Sequence, residues 1–246
     1  MVAIIPAAGK GTRMQSVTEG ISKELLPLGG KPVLLRVLEE ARECDPDEIV
    51  IITAHEKEDL NAAIEEWKCG PFSDLPIRVE FQRSQNGAAP AVALADAEDD
   101  AMILFGDCVY HPGTPLTRMA NLLHRGMDGC IAVERVGDDQ VSRYGIAEID
   151  EGTGRITRLL EKPLPSETES RWAVAGRIGL NRSLMEILTG EATIWRGPGE
   201  LAVPQVLALA IERGADIRAV AVQEDQRRFD CGSPEEYGLA QRIRWE

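Results

Sequence analysis

The sequence predicts an α/β protein: a mixed, mainly parallel sheet flanked by helices, with a smaller β-rich part. Three observations lead there. In the first half of the 246-residue chain, short apolar runs alternate with stretches of helical spacing, the pattern of parallel β-α-β units covered on both faces. After about residue 135 this rhythm gives way to strands joined by tight turns. No long linker, internal repeat or low-complexity segment divides the chain, so two halves, 1–135 and 136–246, are expected to share one sheet within a single domain.

Each element has its own signal. Residues 2–6 are a short buried-strand run. Val33, Leu34, Val37, Leu38 and Ala41 share one face of a helix over 33–44. Strands follow at 48–53, 77–81, 101–105 and 129–134, with helices at 57–67, 90–97 and from Thr114, a candidate N-cap, to His124. Residues 144–150 and 156–161 read as a hairpin turning at Glu151-Gly152-Thr153-Gly154. A strand over 172–180 precedes a helix over 182–188. The apolar stretch 200–212 reads as a helix that tolerates Pro204 near its first turn. A strand over 217–222 and a helix over 234–243, capped by Ser233, close the chain.

Composition narrows the function. The 41 acidic and 27 basic residues give a net charge of −14, which repels polyanions, so a nucleic-acid partner is not expected. A few placed cations can still hold small phosphorylated ligands. No apolar run approaches the roughly 18 residues of a membrane span, and the first residues lack a signal-peptide pattern, so a cytoplasmic protein is expected. The five cysteines are scattered without a C-x-x-C pair, which reads as reduced thiols. His55, His111 and His124 are far apart and suggest no metal cluster.

The chemistry is concentrated in short segments. Ile4-Ile5-Pro6-Ala7-Ala8-Gly9-Lys10-Gly11-Thr12-Arg13 takes a strand into a small-residue loop, where Gly9 and Gly11 let backbone N–H groups approach an anion closely. There is no G-x-x-x-x-G-K-[ST], and Met14 stands where a dinucleotide fingerprint needs its third glycine, so neither of those nucleotide motifs applies. Ser22-Lys23-Glu24-Leu25-Leu26-Pro27 follows, and Lys31-Pro32 comes shortly after.

Together the G-x-G-T-R and S-K-E-L-L-P-x-x-x-K-P segments resemble the opening signature of the sugar-1-phosphate nucleotidylyltransferases, nearest to those that use UTP or dTTP with glucose 1-phosphate. The first segment alone also resembles cytidylyltransferases. Further segments in family order carry the resemblance from about residue 3 to about residue 240. Gln82 with Gly87 resembles the base-reading Q-x4-G. Leu104-Phe105-Gly106-Asp107 resembles the strand end whose aspartate holds Mg²⁺. Arg143-Tyr144-Gly145-Ile146, Leu160-Glu161-Lys162-Pro163 and Val174-Ala175-Gly176-Arg177 resemble the sugar pocket. Gly199-Glu200 and Phe229-Asp230-Cys231-Gly232 complete the series.

The resemblance implies a Rossmann-like fold of the nucleotide-diphospho-sugar transferase type, with residues 1–135 binding the nucleotide and 136–246 the sugar phosphate. It implies Arg13 and Lys23 as catalytic cations, and Ala8, Gly9, Gly11, Thr12, Gln82 and Gly87 at the nucleotide. It implies Gly145, Glu161, Lys162 and Gly176 at the sugar phosphate, and Asp107 and Asp230 on Mg²⁺. The partners would be a nucleoside triphosphate and a sugar 1-phosphate, and a homo-oligomer is compatible with the family. The chain departs from the family at Glu19, where a lysine is usual, and at Pro204-Gln205, where T-D is usual. A cytidylyltransferase for a phosphorylated alcohol or another sugar, and a catalytically silent homologue, are the alternative readings.

Overall fold

The computed structural model describes residues 1–197 and 199–245. Pro198 and Glu246, both inside the second predicted half, lie outside the described residues. In chain order the elements are β1 (Val2–Pro6), α1 (Gln15–Thr18), β2 (Pro27–Leu28), β3 (Lys31–Pro32), α2 (Val33–Ala41), β4 (Glu48–Thr53), α3 (Glu58–Cys69) and β5 (Ile77–Phe81). Then come α4 (Ala88–Ala93), β6 (Ala101–Leu104), β7 (Cys108–His111), α5 (Leu116–His124), β8 (Gly129–Arg135), β9 (Gly145–Asp150) and β10 (Arg155–Glu161). The chain ends with β11 (Trp172–Leu180), α6 (Arg182–Ile194), α7 (Val203–Glu212), β12 (Ile217–Ala221), β13 (Arg227–Asp230) and α8 (Pro234–Ala240).

Nine strands form one mixed sheet in the order β5-β4-β1-β6-β11-β8-β12-β10-β9. The β5-β4-β1-β6 part is parallel, as is the β12–β8 pair. The pairings of β11 and the β9–β10 hairpin are antiparallel. β11 enters between β6 and β8, so a strand of the second half sits inside the strands of the first. β11 also pairs with β9, through Trp172 with Ala147 and Ala173 with Ile146. The strands β11, β8, β12, β10 and β9 therefore close on one another, which leaves β9 without a free long edge.

Strand alternation builds the two cores. Ala3, Ile5, Ile49, Ile51, Met102 and Leu104 point to one side, where α2, α3 and α5 pack. Ile4, Val50, Ile52, Ala101 and Ile103 point to the other, against α4, α6 and α7. Continuous apolar runs are what a sheet covered on both faces requires. Among the described residues no helix is long and apolar enough to cross a membrane.

Several boundaries differ from the sequence reading for local reasons. α6 runs on to Ile194 rather than ending at 188, and Asn181 caps it by accepting from the Leu184 N–H at 2.9 Å. α7 starts at Val203, not 200. Gln205 Oε1 accepts the Ala202 N–H at 2.8 Å, and Pro204 sits in the first turn, where its missing N–H costs nothing. The Pro204-Gln205 departure thus builds a helix start. α4 begins at Ala88 and stops short of Asp96, which has φ 46°. α8 ends at Ala240 instead of 243, while Ser233 accepts from the Glu236 N–H at 3.3 Å. Thr114 Oγ1 accepts from the Leu116 N–H at 3.2 Å. Two small ladders were absent from the sequence reading: β2 with β3, and β7 with β13. All five cysteines are free thiols.

A buried ion pair ties the layers together. Arg177 on β11 is fully buried and donates to Glu40 on α2, which is 7% exposed. Burial pushes the Glu40 carboxyl up, and the Arg177 guanidinium opposes that shift. Breaking a buried pair by removing one partner costs about 3–5 kcal/mol, because the other charge is left uncompensated. Glu40→Ala is therefore expected to lower the free energy of unfolding by about that amount, and Glu40→Ala/Arg177→Met by less. Urea unfolding of both variants beside the parent checks this. Equal losses for the two would show that the stranded arginine is not the source.

Candidate active site

The glycine-rich turn leaves the C-terminal end of β1, in the middle of the parallel strands, where ligands sit in open α/β sheets. Its carbonyls are tied back into the protein. Gly106 N–H donates to Pro6 O at 3.2 Å, Lys57 Nζ to Ala7 O at 2.7 Å, and Gln85 Nε2 to Ala8 O at 3.1 Å. Among the described residues no acceptor is found for the N–H groups of Ala8, Gly9, Lys10 or Gly11. A short 3-10 turn, Thr12–Met14, then presents Thr12 and Arg13 at the surface while burying Met14.

These residues line a cavity of about 510 Å³. Ala8, Gly9, Gly11, Thr12 and Arg13 form one wall, Gln82 and Gly87 another, and Lys23 and Asp107 the floor. Gln82 is 8% exposed and donates both amide protons, to Asn86 Oδ1 at 3.1 Å and to Gly87 O at 3.0 Å. That leaves Oε1 as an acceptor for a ligand. Gly87 has φ 116°, and a side chain there would run into the Leu201 backbone, so glycine is required on both counts.

A second cavity of about 280 Å³ adjoins the first and shares Arg13, Ala88, Phe105 and Asp107 with it. Gly145, Glu161, Lys162 and Gly176 line it, together with Tyr144, Arg228 and Asp230. Burial pushes the Glu161 carboxyl up, opposed by Lys162, whose Nζ lies 3.8 Å from Glu161 Oε1. Lys162 adopts φ 48°, a sparsely populated region for a non-glycine residue. Its N–H donates to Tyr144 O at 3.1 Å, which holds that conformation. Gly176 lies where β11 breaks register between Val174 and Ile178.

Asp107 and Asp230 converge from different elements. β13 pairs antiparallel with β7, setting Asp230 opposite Cys108, and Cys231 N–H donates to Asp107 O at 2.8 Å. A β-carbon built on Gly232 would lie 2.7 Å from Asp107 Oδ2, 2.9 Å from Asp230 Oδ1 and 3.4 Å from Arg13 Nη2. Only the bare glycine leaves this space open between the two carboxylates and the guanidinium. The carboxylates offer hard oxygen donors around a cradle that a methyl group would fill. That fits Mg²⁺, which keeps several waters and takes one or two carboxylates beside substrate phosphates.

Lys23 forms an ion pair with Asp107. Burial would push the Lys23 ammonium down, but Asp107, Glu24 and Asp230 outweigh it and raise its pKa. Burial would likewise raise the Asp107 carboxyl, and Lys23 more than offsets this and holds it below the ordinary range. Behind Lys23 sits Glu24, 1% exposed, whose Oε2 accepts from Lys57 Nζ at 2.7 Å. Burial raises the Glu24 carboxyl and lowers the Lys57 ammonium, each opposed by the other.

The residues that the resemblance assigns to nucleotide, sugar phosphate, metal and catalysis therefore meet around two adjoining cavities, whereas Arg177 of the Val174–Arg177 segment is buried on Glu40 and lines neither. Sequence reasoning missed Lys57, Gln85 and the role of Glu24. Glu24 carried a signal, as a carboxylate beside Lys23 in an otherwise apolar segment. Lys57 carried little, because a lysine ahead of Glu58-Asp59 reads as a solvated helix start.

The sequence profile of the family described as nucleotidyl transferase matches residues 2–242. The chain belongs to the nucleotidyl transferase family. It is 31% identical over 222 residues to a UTP–glucose-1-phosphate uridylyltransferase of Bacillus subtilis, covering 80% of this chain and 74% of that one. It is 26% identical over 242 residues to one of Haloferax volcanii, covering 96% and 93%. Against a bifunctional protein of Burkholderia vietnamiensis it is 26% identical over 250 residues, 99% of this chain, and spans only 52% of that protein's length. A crystal structure of UDP-glucose pyrophosphorylase complexed with UDP-glucose superposes with a TM-score of 0.82 at 25% identity, covering 98% of this chain and 96% of that one. This nucleotidyl transferase has the Rossmann-like α/β fold of those enzymes.

Two outcomes follow for this site. Gly232→Ala places a methyl between the carboxylates, and displacement of reacting groups by about 1 Å costs on the order of 10² in rate. Turnover should fall by about that factor with the thermal midpoint retained. Steady-state kinetics and thermal unfolding check it. The ion pair also sets a pH window. A depressed carboxyl stabilises the fold above its unfolded value, near 3.8, and loses that contribution as pH falls through its lower folded value. A raised ammonium contributes below 10.5 and loses its contribution as pH rises beyond its folded value. The stability gap between the parent and Asp107→Asn, measured without ligands by urea unfolding, should be flat near neutrality and shrink toward acid.

Proposed function

We propose that this nucleotidyl transferase joins a sugar 1-phosphate, glucose 1-phosphate in the first instance, to UTP or dTTP and releases pyrophosphate. The observation that carries the reading is the common wall of Arg13, Ala88, Phe105 and Asp107 between the two cavities. One cavity has the N–H-lined turn and an amide acceptor for a base. The other has a carboxylate for sugar hydroxyls and Lys162 for the phosphate. A phosphate in each would meet at Asp107 and Arg13. The relatives named as uridylyltransferases support the substrate pair.

The chemistry follows from that juxtaposition. An anionic oxygen of the sugar phosphate attacks the α-phosphorus, one P–O bond forms, and the bond to the pyrophosphate oxygen breaks in line. The attacking oxygen is already deprotonated, so no general base is required. The barrier is the approach of two anions to about 3–3.5 Å. Arg13 stabilises charge on the departing pyrophosphate, and Lys23, released from Asp107, neutralises the α-phosphate. Lys162 orients the nucleophile. Asp107 and Asp230 would hold Mg²⁺, which supplies electrostatic stabilisation between the two phosphates when bound. Free Oε1 of Gln82 can accept the N3–H of uracil or thymine. Gly87, Ala88 and Ala91 line the same cavity as Gln82 and bound the space for a base there.

A pyrophosphate-release assay across nucleotides and sugar phosphates tests the reading. UTP or dTTP should exceed CTP, ATP and GTP in kcat/KM, and comparable values for GTP would sink the base-pocket assignment. Asp107→Asn and Asp230→Asn should each remove most turnover in folded protein at saturating Mg²⁺. Removing one preorganised donor costs on the order of 10²–10³ in kcat, so Arg13→Ala should lower kcat by that factor while changing the nucleotide KM far less. Arg13→Lys should recover only part, since a point charge cannot replace a two-pronged guanidinium.

A further inference from the structure

Lys57 is the last residue before α3, a position where the helix dipole disfavours a cation. Its side chain nevertheless turns inward and is 12% exposed. There its Nζ donates to two acceptors on different segments, Ala7 O at 2.7 Å and Glu24 Oε2 at 2.7 Å. Ala7 is the first residue of the glycine-rich turn, and its own N–H donates to Ile52 O at 2.7 Å. Glu24 Oε1 in turn lies 4.0 Å from Lys23 Nζ. Asp107, Lys23, Glu24 and Lys57 thus form a row of alternating charge ending on a loop carbonyl.

We propose that Lys57 is a positioning residue for the nucleotide: by holding the Ala7 carbonyl and Glu24 together, it points the N–H face of the turn and the Lys23 ammonium into the same cavity. This rests on the nucleotide reading above. The Ala7 carbonyl carries a partial negative charge. Were it to rotate toward the cavity, it would face the phosphates that the neighbouring N–H groups are placed to meet. Lys57 opposes that rotation by a charge-assisted hydrogen bond. It also gives Glu24 a second cation, so that Glu24 does not draw Lys23 away from the cavity. Lys57 lies outside the sugar cavity, so the effect belongs to one substrate only.

The test uses the full chain, with titration calorimetry of UTP and dTTP in the absence of sugar phosphate, and the KM for glucose 1-phosphate. Lys57→Met keeps the apolar stem and removes the head. Loss of a charge-assisted hydrogen bond of this kind corresponds to about tenfold or more in affinity, so the nucleotide Kd should rise by at least about that factor. The KM for glucose 1-phosphate should stay within about twofold, since the Lys162 pocket is untouched. Glu24→Gln/Lys57→Met removes the stranded buried carboxylate, so it remains informative where the single variant is too unstable to fold. It should show the same weakened nucleotide binding, because the Ala7 carbonyl is still untethered. Parent-like nucleotide affinity in the double variant would overturn the assignment, and so would an equal rise in the sugar-phosphate KM. A parent protein that binds neither UTP nor dTTP would overturn the nucleotide reading itself.

Discussion

The Glu40–Arg177 pair is the constraint on which the arrangement of the site depends. Arg177 donates to Glu40 and also to the carbonyls of Gly176 at 2.8 Å and Cys108 at 2.7 Å. Glu40 accepts from the Tyr110 N–H at 2.8 Å. One buried charge pair therefore grips α2, β7 and the irregular part of β11 at once. β7 begins directly after Asp107, and β13, which carries Asp230, is laid down on β7. Both carboxylates inherit their places from this grip, and so does Gly176 in the second cavity. A buried pair is weak evidence for stability, because desolvation offsets much of the attraction. Here its value lies in geometry, since an apolar replacement could not direct hydrogen bonds to two carbonyls.

Charge is distributed unevenly for a protein of net −14. The cavities gather Arg13, Lys23, Lys162 and Arg228 beside Asp107, Glu161 and Asp230. Arg228 is held by Glu134, with Nε donating to Oε1 at 2.6 Å, and stacks 5.0 Å from the Tyr144 ring. An isolated basic patch on such a chain would attract anions without selecting them. Pairing most cations with a carboxylate keeps the site near neutral. It also reserves their full charge for a ligand that can compete with those carboxylates.

The elements of the sheet were legible because their signal is local. Ala3 and Ile5 against Ile4, or Ile49 and Ile51 against Val50 and Ile52, are apolar on both faces, and only a doubly covered strand asks for that. The residues that line the two cavities were legible because each sits in a short segment of telling residue types: glycines in a turn after a strand, an aspartate just past an apolar strand. Long-range pairing was not legible. Nothing in residues 108–111 or 227–230 announces that they pair, since the partners are more than a hundred residues apart and too short to show a period. A helix start was misplaced where a side-chain cap decided it, as with Gln205, whereas the start of α6 after the Asn181 cap was read correctly and only its far end was not. Lys57 was missed because its meaning comes from Ala7 and Glu24, which are distant in sequence.

On the proposed reading, the Lys23–Asp107 ion pair is a contact that substrate must open. Both groups prefer their charged forms there, each stabilised by the other. If Asp107 serves a metal and Lys23 a phosphate, as proposed, neither does so fully while the two are paired. On that reading a nucleoside triphosphate resolves both conflicts: its phosphates would draw Lys23 away and leave Asp107 to a cation. Part of the substrate's binding energy is then spent opening this pair, which lowers ground-state affinity without weakening the contacts made in the transition state. Glu24 and Lys57 limit how far Lys23 can travel once released, because the nearest remaining carboxylate is already shared. In the proposed reaction the Lys23 ammonium would thus stay in the first cavity, beside the Arg13 and Asp107 wall that this cavity shares with the second.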